Sequence, residues 1–162
     1  GSGMASVSRS RTGAILWFAL ALLVILADQA SKAWANDVLA ASWIQVTGFF
    51  NLVLLRNTGS AFSFLADAGG WQKLLFSAVA IGVSAAMAAV IWKHSAEKLA
   101  PAAAALVLGG AIGNLIDRLM LGSVTDFIDL HIGDIHWPAF NIADSAIVLG
   151  VIFFILIELR KK

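Results

Sequence analysis

Four long apolar stretches dominate the sequence, and in three of them the charged and amide residues collect toward one end. The stretches cover residues 12 to about 34, 74–92, 99 to about 120 and 138 to about 159. Each has close to the roughly 20 mostly apolar residues that a helix needs to cross a bilayer. The pattern therefore predicts a membrane α-helical fold with four transmembrane helices, in one domain over residues 12–162.

A further apolar segment, residues 42–66, is too broken to cross a membrane. It is rich in Val, Phe and Leu, with turn signals at Thr47-Gly48 and Asn57-Thr58-Gly59. This composition is typical of short strands joined by turns. We expect a small antiparallel β unit on the outer membrane surface, flanked by interfacial tryptophans such as Trp43, Trp71 and Trp137.

The composition supports a membrane protein and removes several functional classes. Of the 162 residues, 60% are hydrophobic and 13% are charged, whereas soluble domains average about 25% charged. The net charge of +1 gives no reason to expect nucleic acid as a partner. The absence of cysteine excludes disulfides, thiolate metal sites and a cysteine nucleophile.

Lysine and arginine residues orient the predicted helices, because cytoplasmic loops carry an excess of these residues. Seven of them fall on one side of the bundle: Arg9, Arg11, Lys93, Lys98, Arg160, Lys161 and Lys162. The opposite loops, at about 35–70 and 121–137, contain only Arg56. Both termini are thus predicted to be cytoplasmic. Residues 1–11 form a tail, in which Gly1-Ser2-Gly3 before Met4 is interpreted as a vector-derived addition.

The polar residues of the predicted spans all fall on the outer side. They are Asp28 and Lys32, then Asn114, Asp117 and Arg118, then Asn141 and Asp144, with Asp126 in the loop between. Asp28 and Lys32 are four positions apart and share a helix face. Polar groups at membrane depth turn toward one another or toward a wet cavity. The sequence therefore predicts one polar pocket near the outer leaflet.

Structural interpretations are available for most of these residues. Asn141 and Asp144 have the spacing of a helix N-cap. Asp28 with Lys32, and Asp117 with the nearby Arg118, could be structural ion pairs. Asp126 could be a solvated loop carboxylate.

Two other features are given structural interpretations. The small residues from Gly109 to Gly113 indicate close helix packing. His131 and His136 show no metal-ligand spacing and are interpreted as solvated loop residues.

Asp126 and Asp144 differ from Asp28 and Asp117 because neither has a basic neighbour in the local sequence. Two unpaired carboxylates in a low-dielectric pocket cannot both ionise cheaply, since burial and mutual repulsion raise at least one pKa. A carboxylate pair that shares one proton is the acid–base equipment of an aspartic protease. The two residues are therefore candidates for that chemistry.

Five segments, in this order around the four spans, resemble the bacterial lipoprotein signal peptidases (signal peptidase II). They are DQASK at 28–32, NTGSAFSF at 57–64, GGAIGNLIDR at 109–118, VTDFID at 124–129 and FNIADSAI at 140–147. The resemblance implies an aspartyl endopeptidase of the inner membrane with four helices, a periplasmic β-cradle and an active site at the outer leaflet. It also implies the substrate, a prolipoprotein cut just before a cysteine that carries diacylglycerol.

The resemblance assigns roles by position. Asp126 and Asp144 would be the catalytic pair. Four residues would line the pocket and hold the substrate backbone or the pair: Asn57, Asn114, Arg118 and Asn141. Asp28 and Lys32 would brace the first helix near the site. No metal or cofactor is implied, membrane lipid is the expected surrounding, and one chain could hold all these elements, so we expect a monomer.

Three alternatives remain open at this point. A serine–lysine peptidase could use Lys32 with Ser31, although neighbouring helical residues point about 100° apart, or with another serine such as Ser60. A proton-coupled carrier could use a relay of Asp28, Asp117, Asp126 and Asp144, but the inner halves of the spans are apolar. A purely structural membrane subunit is the third.

Overall fold

The helices begin and end where local groups satisfy their free backbone ends. The computed structural model describes residues 9–58 and 71–162. Its helices are α1 (Arg11–Val38), α2 (Trp71–Lys93), α3 (Leu99–Leu121) and α4 (Ile142–Arg160). The Ser10 side chain caps α1 by accepting a hydrogen bond from the Gly13 N–H at 3.0 Å. At its C-terminus, α3 is capped by Gly122, whose φ of 75° lies in the left-handed region that glycine tolerates.

The four predicted spans are confirmed as helices that are long and apolar enough to cross a membrane. The bounds differ by up to about four residues: α1 was predicted to end near residue 34 and ends at Val38, and α4 was predicted to start at Pro138 and starts at Ile142. Before that point the chain is extended, because Phe140 exchanges backbone hydrogen bonds of 3.0 and 3.1 Å with Ile128. Asn141 then serves as the N-cap.

α3 is the central helix of the bundle. In the most apolar 18-residue segment of α3, 61% of the residues are buried, whereas the corresponding segment of each of the other three helices has 17% buried. Glycines allow this close approach. A Cβ built on Gly110 would lie 2.4 Å from the Ala143 carbonyl oxygen, and one on Gly113 would lie 2.5 Å from Asp28 Oδ2. The predicted packing role of the Gly109–Gly113 segment is confirmed.

An antiparallel sheet joins the loops at the outer ends of the helices. Its strands, in spatial order, are β1 (Ile44–Gln45), β2 (Phe50–Asn57), β3 (Val124–Ile132) and β4 (Ile135–His136). The predicted β unit at 42–66 is confirmed as far as residue 57, and residues 59–66 lie outside the described part of the chain. β3 and β4 were not predicted, since residues 121–137 were expected to form a loop; β3 pairs with β2, and β4 pairs with β3.

The two outer histidines lie in strands, so their assignment to a loop was wrong. His131 in β3 and His136 in β4 stack with ring centroids 4.9 Å apart. His136 Nδ1 lies 2.7 Å from Asp129 Oδ1, and the Asn51 side-chain amide donates to Asp129 Oδ2 at 3.1 Å. The hydrogen bond with His136 is the largest of the influences that lower the pKa of Asp129.

Candidate active site

A buried ion cluster joins α1 to α3 in the outer halves of both helices. Lys32 Nζ lies 2.7 Å from Asp28 Oδ2 and 3.1 Å from Asp117 Oδ2, and it donates to Asn114 Oδ1 at 3.0 Å. All four residues are buried, with Asp28 at 0% and Lys32 at 3% exposure. The predicted pairing of Asp28 with Lys32 is confirmed. Asp117 pairs with Lys32 rather than with its sequence neighbour Arg118, because the lysine reaches it from another helix.

The cluster also holds α4 and β3. Asp28 Oδ1 accepts a hydrogen bond from the Ala143 N–H in the first turn of α4, at 2.9 Å. Asp117 Oδ2 accepts one from the Thr125 N–H in β3, at 3.0 Å. The two carboxylates therefore position the two segments that carry Asp126 and Asp144.

Gln29 and Thr125 complete this region, and neither was predicted as a site residue from the sequence. The Gln29 side-chain amide donates to Asp117 Oδ1 and to the Gly113 carbonyl, each at 3.0 Å. Thr125 is fully buried, and its hydroxyl accepts a hydrogen bond from Arg56. Gln29 could have been identified from the sequence, because it is an amide next to Asp28 in an otherwise apolar helix. The role of Thr125 can be recognised only from the fold.

Asp144 has two roles in the structure. As predicted from its spacing, it forms a capping box with Asn141: its N–H donates to Asn141 Oδ1 at 2.8 Å, and its Oδ2 accepts from the Asn141 N–H at 3.2 Å. Its other oxygen, Oδ1, accepts a hydrogen bond from the Asn114 side-chain amide at 2.8 Å. The helix-cap interpretation is thus confirmed, and the same carboxylate is part of the polar cluster.

Asp126 lies in β3 and is buried, with 3% exposure, so it is not a solvated loop residue. Its Oδ1 accepts a hydrogen bond from the Asn141 side-chain amide at 2.9 Å, and its carboxyl group also bonds to the Asn57 side chain. Burial, followed by the charge of Asp144, raises the pKa of Asp126 to about 6. The predicted pocket residues Asn57, Asn141, Asp126 and Asp144 therefore lie together.

Arg118 closes the cluster on the side of α2. It is half-buried, and its guanidinium lies 5.2 Å from the centre of the Phe76 ring, in cation–π range. Its charge acts on Asp144, Asp126 and Asp117. Arg118 thus supplies a cation at the rim of the cluster, where a substrate oxygen could approach.

Two apolar grooves lead to Asp144. One, of about 560 Å³, runs from Trp137 along the outer half of α4 to Ile152. The other, of about 300 Å³, lies between α2, α3 and α4, and Phe76, Val79 and Ile147 are among its walls. An apolar chain could therefore reach the carboxylates from either side of α4.

The described residues give little support to the alternatives. Ser31 Oγ donates to the Asp28 carbonyl at 2.9 Å, while Lys32 Nζ is engaged with carboxylates and Asn114. Ser60, the other serine considered, lies outside the described residues. The four aspartates of the carrier hypothesis all lie in the outer halves of the helices or in the sheet. Among residues 9–58 and 71–162, no group of histidines and acidic residues could hold a metal ion.

Comparisons with known proteins identify the family to which the chain is similar. A family model described as signal peptidase (SPase) II matches residues 20–160. A lipoprotein signal peptidase of Cupriavidus taiwanensis is 47% identical over 155 residues, covering 93% of this chain and 86% of its own length. One of Burkholderia thailandensis is 46% identical over 158 residues, covering 96% of this chain and 95% of its own length.

Two solved structures share the fold. A bacterial membrane enzyme determined in meso at 1.9 Å is 29% identical and covers 97% of this chain and 99% of its own, with a TM-score of 0.81. Another, at 2.3 Å, is 30% identical and covers 96% of this chain and 92% of its own, with a TM-score of 0.77. The likeness therefore extends over the helices and the sheet together.

Proposed function

Because the chain belongs to the signal peptidase II family, we propose that it removes signal peptides from prolipoproteins as an aspartyl endopeptidase. The bond cut is the one before the cysteine that carries diacylglycerol. Asp126 and Asp144 are the catalytic pair. The observation that carries this proposal is that one asparagine, Asn141, contacts both carboxylates, through its side-chain amide to Asp126 and through a reciprocal cap to Asp144.

The chemistry needs one proton shared between the two carboxyl groups. The ionised member takes a proton from a water molecule, whose oxygen attacks the scissile carbonyl carbon. The protonated member gives its proton to the carbonyl oxygen. When the C–N bond breaks, the proton taken from water passes to the leaving nitrogen, and the carbonyl re-forms by returning a proton to the pair, which again holds one proton. Asn57, Asn114 and Arg118 surround the pair and hold it or the substrate backbone.

The grooves suit a substrate that does not leave the membrane. Two acyl chains hold a diacylated protein in the bilayer, since each buried CH₂ contributes about 0.8 kcal/mol. A soluble protease could not reach the scissile bond of such a substrate. The grooves along α4 and between α2, α3 and α4 bring apolar chains to Asp144 from the side.

In the bacterial inner membrane, which the family membership suggests, the distribution of positive charge determines the orientation of the protein. Arg11, Lys93 and Arg160 lie at the ends of helices on the side opposite the sheet. By the positive-inside rule, that side is cytoplasmic, and the sheet and the catalytic pair lie at the periplasmic leaflet. The protein acts as a single membrane domain and as a monomer, because every proposed site residue comes from one chain.

Cleavage of a diacylated prolipoprotein by the purified protein in nanodiscs tests this function. We expect Asp126→Asn and Asp144→Asn each to lower turnover by roughly 10⁴-fold or more, as when one member of a catalytic unit is removed. Asp129→Asn, three positions along the same strand, is the matched control and should remain active. Near-normal turnover in either dyad variant would contradict the proposal, and loss of activity in Ser31→Ala or Ser60→Ala would favour a serine–lysine mechanism.

A further inference from the structure

The two carboxyl groups of the proposed pair have unequal surroundings. Each would ionise with difficulty beside the other, so one proton is shared. Which residue holds that proton depends on the hydrogen-bond donors that each carboxylate receives, because donors favour the ionised form. The donors can be assigned here without ambiguity, since fixed groups determine which way the two asparagine amides point.

Lys32 fixes the orientation of Asn114. An ammonium group has only donors, so the Asn114 atom that lies 3.0 Å from Lys32 Nζ must be the oxygen. The amide NH₂ of Asn114 therefore faces Asp144 Oδ1, at 2.8 Å. Asn114 is buried, with 5% exposure, and its carbonyl is polarised by the lysine charge, which strengthens the hydrogen bond that its NH₂ gives.

Asp144 receives further stabilisation as an anion. Its Oδ2 accepts the Asn141 backbone N–H at 3.2 Å, so both of its oxygens face fixed donors. It also lies in the first turn of α4, where the helix dipole favours negative charge. Two influences oppose ionisation of Asp144: the burial of its carboxyl group, which is the larger, and the charge of Asp28, which is itself paired with Lys32 at 2.7 Å.

Asp126 receives weaker donors. The Asn141 side-chain NH₂ has two hydrogens but lies within 2.9–3.2 Å of three acceptors: Asp126 Oδ1, Asn114 Oδ1 and the Thr125 carbonyl. The other hydrogen bond to Asp126 comes from the side chain of Asn57. Asn57 is exposed, so water competes for this hydrogen bond. Asp126 lies on a strand, which provides little net dipole.

We propose that Asp126 carries the shared proton and that Asn114, oriented by Lys32, keeps Asp144 ionised. This rests on the proposed function and assigns the two roles within it. Asp144 is the base that takes the proton from water, and Asp126 is the acid that donates to the scissile carbonyl. Asn114 and Lys32 are positioning residues. The pKa of Asp126 is raised, first by burial and then by the charge of Asp144, which is consistent with this assignment. The positive charge of Lys32 opposes that rise. The charge of Arg118 attracts both carboxylates.

Infrared spectroscopy of the protein in nanodiscs tests the assignment, because a protonated carboxyl group has its own carbonyl stretching band. At about pH 5, above the ordinary pKa of aspartate, we expect this band in the wild type and in Asp144→Asn, and its loss in Asp126→Asn. Asp129→Asn is the control and should keep the band. A band that is lost in Asp144→Asn and kept in Asp126→Asn would overturn the assignment.

The role of Asn114 has a separate test. We expect the band, absent in Asp126→Asn, to return in the double variant Asp126→Asn with Asn114→Leu, because Asp144 then loses its main donor. A double variant that still lacks the band would show that Asn114 is not the cause. Neither result depends on cleavage. If both single dyad variants cleave normally, the proposed function fails; if they are inactive but the band follows Asp144, only the proton assignment fails.

Discussion

The carboxylate of Asp28 accepts a hydrogen bond from the backbone N–H of Ala143, a residue 115 positions away, at 2.9 Å. Its other oxygen is 2.7 Å from Lys32 Nζ. One buried side chain of α1 therefore holds both the start of α4 and the lysine that orients Asn114. Asp28 is fully buried, so water cannot replace these contacts.

We expect Asp28→Asn to destabilise the protein by about 3 kcal/mol, the lower end of the range for removing one partner of a buried ion pair. Lys32 retains Asp117, which is why the loss is not larger. Denaturant unfolding in detergent measures the change. Asp37→Asn, at an exposed position of the same helix, is the control, and equal stability of the two variants would contradict the role given to Asp28.

Asp126→Asn should make the protein inactive but more stable at neutral pH. The pKa of Asp126 is raised to about 6 in the folded state. Its contribution to stability is therefore full below the unfolded pKa, near 4, and is lost as the pH rises through about 6. Above that pH the variant should gain up to about 3 kcal/mol over the wild type, because each pKa unit corresponds to about 1.4 kcal/mol. Unfolding measured at about pH 4 and pH 8 gives both ends of this range.

Asp129→Asn should behave in the opposite way on the same strand. The hydrogen bond with His136 lowers the pKa of Asp129. Its stabilising contribution is present above the unfolded pKa and is lost as the pH falls through the folded pKa. The Asp129 variant should thus be less stable than the wild type at neutral pH and equal to it in acid. If the stability of Asp126→Asn and of Asp129→Asn, each relative to the wild type, changed with pH in the same direction, the different environments assigned to the two residues would be wrong.

Gly113→Ala should lower stability by about 1–3 kcal/mol, the usual effect of overpacking. The added Cβ would lie 2.5 Å from Asp28 Oδ2, so the ion cluster would have to shift. Gly82→Ala in α2 is the matched control, because its Cβ would have no atom within 4 Å. That variant should be stabilised by up to about 1 kcal/mol through helix propensity. Thermal unfolding of both proteins distinguishes packing from propensity.

Asn141→Ala should lower the rate of cleavage by about 10²-fold, because small displacements of catalytic groups have effects of this size. It also removes an N-cap, which costs about 1 kcal/mol of stability. Ser10→Ala removes the N-cap of α1 and serves as the control. We expect a similar loss of stability there with normal turnover. Full activity of Asn141→Ala would show that Asn141 is not needed to position Asp126 and Asp144 for cleavage.

The parts of this fold that were predictable from sequence depend on local patterns. The apolar runs gave the four helices, and the spacing of Asp28 and Lys32 gave their contact, because residues four apart share a helix face. The sequence could not reveal the partner of Asp117, which comes from α1. The strand β3 was missed because its first four residues, Val124–Phe127, are all buried and show no alternation of polar and apolar positions.

The pairing of β2 with β3 imposes an order on the biogenesis of the enzyme. β2 precedes α2 in the chain, whereas its partner follows α3, so the sheet cannot close until Val124–Ile132 has been made and two further helices have entered the membrane. At roughly 5–20 residues per second, synthesis keeps β2 waiting for several seconds. Asp144 is made later still. The polar cluster that includes Asp126 and Asp144 therefore forms only after most of the chain has been synthesised.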